Sequence, residues 1–371
     1  MKILITGDFV IQNKSALIDI ENEKELNEVF HEIRDLTSTC DYAITNLENP
    51  VTDASQKILK DGPHLKMAPK YMKLISFCGF NIVTLANNHL KDYGNKGVCD
   101  TIGYCKTNNL QTVGAGVDIS TAYKPLIVGS DDLKIGIINV CESESSIADD
   151  AEAGAAPFDL IRIYNAIKEI RNRCQYILVI VHGGCENYSL PTPEMKRKYH
   201  FIADIGADVI VNHHQHCLSG YEIYNNVPIF YGLGNMFFDE PNNLEKWYQG
   251  LALVLNFNEK IEFQILPFIQ CKDRPEIHFD DSNISEIIEG LNAVIADDEQ
   301  LKKEFRRFVS SSLALSPFTP YNGHYIKALY HRRLLPSFIS RTKAVVLQNR
   351  ILCASHCEVV LEKFRQLISG K

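Results

Sequence analysis

Residues 207–217 read ADVIVNHHQHC. Val209, Ile210 and Val211 form a short β-branched run of the kind that lies buried on both faces of a sheet. Three histidines, His213, His214 and His216, follow within four positions. A buried strand that empties into imidazoles marks an α/β sheet with a site along its carboxyl edge, where loops gather side chains from several strands. Working outward, the pattern recurs. KILIT ends in Gly7-Asp8, YAIT in Asn46-Leu47-Glu48, NIVTLA in Asn87-Asn88-His89, YILVIV in His182-Gly183-Gly184, and IFYGLG in Asn235. Taken singly, a Gly-Asp is a common turn and an Asn-His can cap a helix. Taken together, these strand ends supply Asp, Glu, Asn and His and no Cys. That mixed nitrogen and oxygen set suits Mn²⁺, Fe or Zn²⁺ better than a thiolate site would.

Further strands are expected at LKIGIINV, VPIFYGLG, LALVLNF and IEFQILPF. Amphipathic helical stretches lie between the early strands, at Glu23–Leu36, Pro69–Cys78, Gly97–Thr107, Asp159–Arg173 and Pro193–Ile205. This alternation predicts an α/β domain with helices covering its sheets. The later strands leave no room for helices, so part of the sheet should be antiparallel. From about residue 271 the character changes. Ser282–Val294 and Asp298–Ser310 read as helices, a linker SPFTPYNGHY follows, and two more helical patterns close the chain, the last from about Ser337 to Leu367. The expected division is a domain over 1–270 and a basic α-helical extension over 271–371.

Hydrophobic residues make up 45% and charged residues 23% of 371, a globular composition. No apolar run reaches the roughly 18 residues of a membrane helix. The short run after Met1 ends at Asp8 and does not read as a secretory signal. Eleven Cys without a CxxC pair argue against a disulfide scaffold or zinc ribbon. The cytoplasm is the expected compartment. Net charge is −8, yet residues 301–371 hold 13 Lys+Arg against 3 Asp+Glu. Such a segment docks on the acidic body, solvates a helical face or meets an anionic membrane surface, which would make the protein peripheral to the membrane. No stacking-aromatic basic patch points to nucleic acid.

In chain order, GD, NLE, LANNHLKDYG, VHGG, NHHQH and GLGNMFFD resemble the motifs of the capsule-synthesis CapA family (poly-γ-glutamate synthesis type), itself similar to the calcineurin-like metallophosphoesterases. The resemblance covers residues 1 to about 245. It implies a metallophosphoesterase-like two-layer β-sandwich flanked by helices, with two divalent metal ions at one edge. By that likeness Asp8 and His216 hold the first metal, Glu48 bridges, and Asn88, His182 and His214 hold the second. His89 either protonates the leaving oxygen or stabilises the transition state, and Asp92 orients it. Asn46, Glu186 and Asn235 bind substrate. Three departures stand. Phosphoesterases open with Asp-x-His, and this chain has Phe9 and Val10 after Asp8. Glu48 takes a place usually held by Asp. Gly183 follows His182 where the family commonly has an aromatic residue. His213 should face away from the site, by alternation in an extended chain.

The implied function is a metal-dependent phosphoester hydrolase in capsule or cell-surface polymer synthesis, taking an anionic or phosphorylated small molecule or polymer and working with the capsule-synthesis machinery. Two alternatives are a non-catalytic assembly factor that binds metal or an anionic polymer, and a hydrolase or transferase of glutamyl amide bonds.

Overall fold

The computed structural model describes residues 1–12, 18–280, 284–312 and 341–369. Two sheets stack face to face. The first contains β1 (Lys2–Val10), β2 (Tyr42–Leu47), β3 (Ile82–Thr84), β4 (Gln111–Val113), β13 (Asn235–Phe238), β14 (Gln249–Phe257), β15 (Ile261–Gln270) and β16 (Ile277–Phe279), in the order β16-β15-β14-β1-β2-β3-β4 with β13 beside β1. The second contains β6 (Leu126–Ser130), β7 (Leu133–Cys141), β9 (Tyr176–His182), β10 (Val209–His213), β11 (Tyr221–Tyr224) and β12 (Val227–Phe230), in the order β11-β12-β10-β9-β7-β6. A short ribbon pairs β5 (Ala115–Gly116) with β8 (Gly154–Ala155).

Strands followed by helices pair in parallel, as do β1, β2, β3 and β4, because the crossover returns the chain to the same edge. Strands joined directly pair antiparallel, as do β14 with β15, which meets the expectation for the later segments. Alternation along each strand sorts its side chains between layers. Ile3 and Ile5 of β1, Leu178 and Ile180 of β9 and Val209 and Val211 of β10 fill the core between the sheets. Leu4 faces the helices on one outer side. Ile177, Val179 and Val181 face those on the other. Each fully buried side chain of this kind contributes about 1.5–3 kcal/mol.

The outer helices are α1 (Glu23–Ser38), α2 (Met72–Phe77) and α3 (Gly94–Thr107) on the first sheet's side. The short α4 (Ile119–Ala122), α5 (Leu160–Ile170) and α6 (Pro193–Asp204) lie on the second's. Asn22 caps α1 and Asp159 caps α5 through their side chains. The two-layer sandwich flanked by helices is the architecture expected. After β16 come α7 (Ile284–Ala296), α8 (Asp298–Ser311), α9 (Arg341–Leu352) and α10 (Ala354–Ser369). Leu301, Phe305, Val309, Val359 and Val360 join the second sheet's outer core, so α8 and α10 dock on the body.

Four readings need correction. The closing helix does not run unbroken from Ser337 to Leu367. It breaks at Cys353, and its halves are bent by 89°. Cys353 Sγ and the Ser355 amide and hydroxyl all turn to the Glu142 carboxylate, a local demand that overrides helical continuation. β1 does not end at Asp8 but continues to Val10, with its register irregular around Asp8. Asn235 does not end a strand: VPIF stops at Phe230, and Asn235 opens β13. β4, β5, β6, β8, β11, β13 and β16 fall where no strand was expected, because they are short or weakly apolar. The linker SPFTPYNGHY and the helical pattern after it lie outside the described residues. Among the described residues no single helix is long and apolar enough to cross a membrane, although α9 and α10 together pass by length and composition.

Candidate metal centre

The carboxyl edges of the two sheets meet at one point. Asp8 on β1 is in register with Asn46 on β2 and Asn235 on β13. His182 ends β9 in register with His213 at the end of β10. Across the gap, Asn46 Nδ2 donates to Asp8 Oδ1 at 2.7 Å and lies 3.3 Å from His182 Nδ1. The His214 amide donates to Asp8 Oδ2 at 3.2 Å. Past β10 the chain leaves the extended region, with His214 at φ 90° and His216 at φ 52°. Positive φ is uncommon for a residue other than glycine, although histidine is among those that adopt it more often, and here it marks a backbone held for its geometry. Here it turns His214 and His216 onto the same side, so Glu48, His214 and His216 each bring a ligand atom to within 4.8 Å of the others.

The remaining contacts are close. His182 Nε2 lies 3.0 Å from His214 Nδ1, 3.1 Å from Asn88 Oδ1 and 3.6 Å from Glu48 Oε1. His216 Nε2 lies 3.7 Å from Glu48 Oε1, and its Nδ1 lies 3.4 Å from Asp8 Oδ2. Asn235 donates to the Trp247 carbonyl, so its Oδ1 accepts from His216 Nδ1 at 2.9 Å. That fixes the tautomer and leaves the His216 Nε2 lone pair toward Glu48, the usual arrangement behind a ligating histidine.

The cluster fits a divalent cation. Both Glu48 carboxylate oxygens are fully buried and have no hydrogen-bond partner among the described residues. Burial, then Asp8 and Glu186 nearby, push the Glu48 carboxyl well above its ordinary range. Leaving such a group orphaned is costly, and a cation would satisfy it. Burial holds the His182 imidazole well below its ordinary value and that of His214 down to about 4. Burial thus favours the neutral form of both rings, the form in which imidazole ligates a metal. His213 is 1% exposed, and neither ring nitrogen has a partner among the described residues. It is not one of the three residues whose ligand atoms converge.

His89 stands beside this cluster with its own supports. Asn87 Oδ1 accepts from the amides of His89 and Leu90, pinning the turn. His89 Nδ1 meets Asp92 Oδ2 at 2.8 Å, and the Leu65 amide donates to the same oxygen. Lys60 Nζ donates to Asp92 Oδ1 at 2.5 Å and stands 3.0 Å from His89 Nδ1. Two donors cannot satisfy each other, so the Nδ1 proton belongs to Asp92 and the Lys60–His89 approach is electrostatic. Burial lowers the His89 pKa, the Asp92 hydrogen bond opposes this, and Lys60 adds to the lowering.

A cavity of about 520 Å³ opens over the centre, and Glu48, Asn88, His89, Glu186 and His216 reach its wall. Asn46 and Asn235, expected to bind substrate, are instead fully buried behind Asp8 and His216, which they orient by hydrogen bonds. Lys60 and Glu144 also line the cavity and were missed from sequence, as were Arg350 and His356. Glu144 was findable: LKIGIINV ends in Cys141-Glu142-Ser143-Glu144, the same strand-end pattern. Burial, with Glu186 and Glu142 nearby, pushes its carboxyl up to about 7. Lys60 lies in a loop with no periodic signal.

The model of the bacterial capsule synthesis protein family PGA_cap matches residues 2–240. The chain belongs to this family. It is 32% identical over 228 residues to the PGA biosynthesis protein CapA of Bacillus subtilis (strain 168), covering 60% of this chain and 59% of that one. It is 29% identical over 231 residues to the capsule biosynthesis protein CapA of Bacillus anthracis, covering 60% and 56%. The chain thus spans less than two thirds of the length of these curated relatives. Among solved structures, a novel phosphatase from Mycoplasma pneumoniae is 16% identical with a TM-score of 0.42, covering 77% of this chain and 96% of that one. In this PGA_cap protein the family match includes every residue of the centre and stops short of α7 to α10.

Proposed function

We propose that the protein is a metal-dependent phosphoester hydrolase of capsule or cell-surface polymer synthesis, acting at a centre that takes two divalent ions. Glu48, Asn88, His182 and His214 would hold one, and Asp8, His216 and Glu48 the other. Mn²⁺, Fe or Zn²⁺ suits these donors. Bound there, the ions polarise a phosphoryl oxygen and lower the pKa of water. The observation that carries the reading is His89: a buried imidazole, held by Asp92, to which Lys60 also donates, that reaches the cavity wall beside the ligand cluster. A purely structural metal site has no use for such a histidine. With Nδ1 committed to Asp92, Nε2 is the atom that delivers a proton to the leaving oxygen or steadies charge on the phosphoryl group. Glu186 borders the same space, and Lys60 offsets the carboxylates. Substrate would be an anionic phosphoester, handled together with capsule-synthesis machinery on the cytoplasmic side.

The test reads metal content and turnover together. Protein supplied with Mn²⁺ is expected to retain metal and hydrolyse bis(4-nitrophenyl) phosphate. His89→Ala should lower kcat by about 10²–10⁴-fold, the usual scale of acid–base catalysis, with metal retained. Protein that takes up no metal, or that stays inactive when loaded, overturns the hydrolase reading. A loaded but inactive protein would favour a metal- or polymer-binding assembly role.

A further inference from the structure

The cavity over the metal centre has a wall that the family match does not reach. Phe308 from α8, Ser312 just after it, Asn349 and Arg350 from α9, and His356 and Val359 from α10 line the same space as Glu48 and His89. This wall is tied to the strands that carry the centre. Glu142, directly after β7, accepts from the Ser355 amide at 3.0 Å, the Ser355 hydroxyl at 2.6 Å and Cys353 Sγ at 3.1 Å. Its own amide donates to the His182 carbonyl. Glu358 on α10 accepts from the Glu194 amide at 3.1 Å and from the Thr192 hydroxyl. Asn349 Nδ2 donates to Glu144, whose other oxygen lies 4.0 Å from His214 Nε2. The C-terminal helices are thus a fixed part of the cavity.

Four polar atoms on this wall are buried with no hydrogen-bond partner among the described residues: Ser312 Oγ, Asn349 Oδ1, Arg350 Nε and His356 Nδ1. A buried donor left unpaired costs roughly 1–3 kcal/mol. Of the four, Arg350 carries a permanent charge on a planar fork matched to phosphate and carboxylate, and His356, which burial and then Arg350 hold toward its neutral form, offers an uncharged ring nitrogen. Glu48, Asp61, Glu144, Glu186 and Glu240 face the same cavity, with Lys60 among them. An anion is therefore not drawn by a general positive field; Arg350 and His356 set its place.

We propose that Arg350 and His356 form a second anion subsite in the wall of the catalytic cavity, so that the substrate is a phosphoester carrying a further anionic group, a second phosphate or a carboxylate, held by the C-terminal helices. This rests on the reading of the centre as a phosphoester site. One group sits at the metal centre and the other at the wall, which makes the extension a specificity element that relatives matched only over the sandwich need not share.

Three non-hydrolysable probes test it by calorimetry on the full-length, metal-loaded protein: methylphosphonate, methylenediphosphonate and phosphonoacetate. One or both two-anion probes should bind at least about tenfold tighter than methylphosphonate, the scale of one charge-assisted pair. Which of the two gains more tells phosphate from carboxylate. Arg350→Gln should remove that advantage while changing methylphosphonate by less than about twofold, and Arg350→Lys should restore part of it because charge without the fork remains. Equal binding of all three probes by the wild-type protein overturns the subsite alone and needs no variant that might misfold. An advantage untouched by Arg350→Gln overturns it too, since the gain would then come from the metals. No binding by any probe overturns the subsite and the phosphoester reading together.

Discussion

Glu48 is the residue on which the centre depends most, since its two oxygens are buried and unpartnered among the described residues. Replacing it by the neutral isostere separates stability from function. In metal-free protein Glu48→Gln should be at least as stable as wild type, by up to about 2 kcal/mol in urea unfolding, because the amide carries no charge for burial and the nearby Asp8 and Glu186 to oppose. The same variant should fail to retain metal on dialysis. Loss of stability with metal still bound would mean that Glu48 is a structural carboxylate. Lys60 acts on another atom. Its ammonium lowers the His89 pKa, so Lys60→Met should raise it. If His89 works as an acid, turnover is high below its pKa, and the alkaline fall in kcat should move to higher pH in the variant with metal content unchanged. A profile that keeps its shape, with only the maximum reduced, would show that Lys60 does not work through His89.

At the scale of elements, Gly183 explains a departure that sequence comparison leaves bare. A Cβ there would stand 2.7 Å from Glu142 Cγ and 3.1 Å from its carboxyl carbon. A side chain at 183 would therefore displace the carboxylate that holds the α9–α10 break. Gly183→Ala should loosen both helices: limited proteolysis within residues 341–369 should speed up about tenfold or more, the size of one or two lost hydrogen bonds to a charged group. Metal content should hold, because His182 stays in register on β9. Unchanged proteolysis would mean that α10 is held by Val359, Val360 and Glu358 without Glu142. The broken helix also shows where periodicity misleads. The pattern from Ser337 to Leu367 reads as one helix because Cys353 interrupts neither hydropathy nor propensity. The partner that breaks it lies more than 200 positions earlier.

At the scale of the molecule, the cost of assembling the centre should appear in the pH dependence of stability. His182 and His214 are kept neutral by burial, with His214 down to about 4. A depressed folded-state pKa means that the unfolded chain takes up protons first, from its ordinary value near 6.5 downward. Stability is then full above that value and is lost as pH falls toward about 4. For His214 alone the loss across this window is about 3 kcal/mol. Metal-free protein should show a falling urea midpoint between these limits, and bound Mn²⁺ should resist the fall at its upper end, since metal and proton compete for the same nitrogens. A flat midpoint would show that the rings are solvated or already charged.

Local composition is enough to give the strands that run apolar into polar endings, their α/β alternation, and a carboxyl edge rich in Asp, Glu, Asn and His. These are local facts: a β-branched run buries wherever it pairs, and a strand end is exposed to whatever ligand the edge gathers. Asp8, Glu48, Asn88, His89, His182, His214 and His216 were all legible this way. What each polar group meets is set by packing. It put Asn46 and Asn235 behind the ligands, Lys60 against Asp92, and Glu142 beneath a glycine and a broken helix. It also brought Arg350 and His356, more than 100 positions from the last motif, to the wall of the same cavity. Such pairings are set by the stacking of two sheets and by which helix covers them, and no spacing along the chain encodes a contact between residues that only packing makes neighbours.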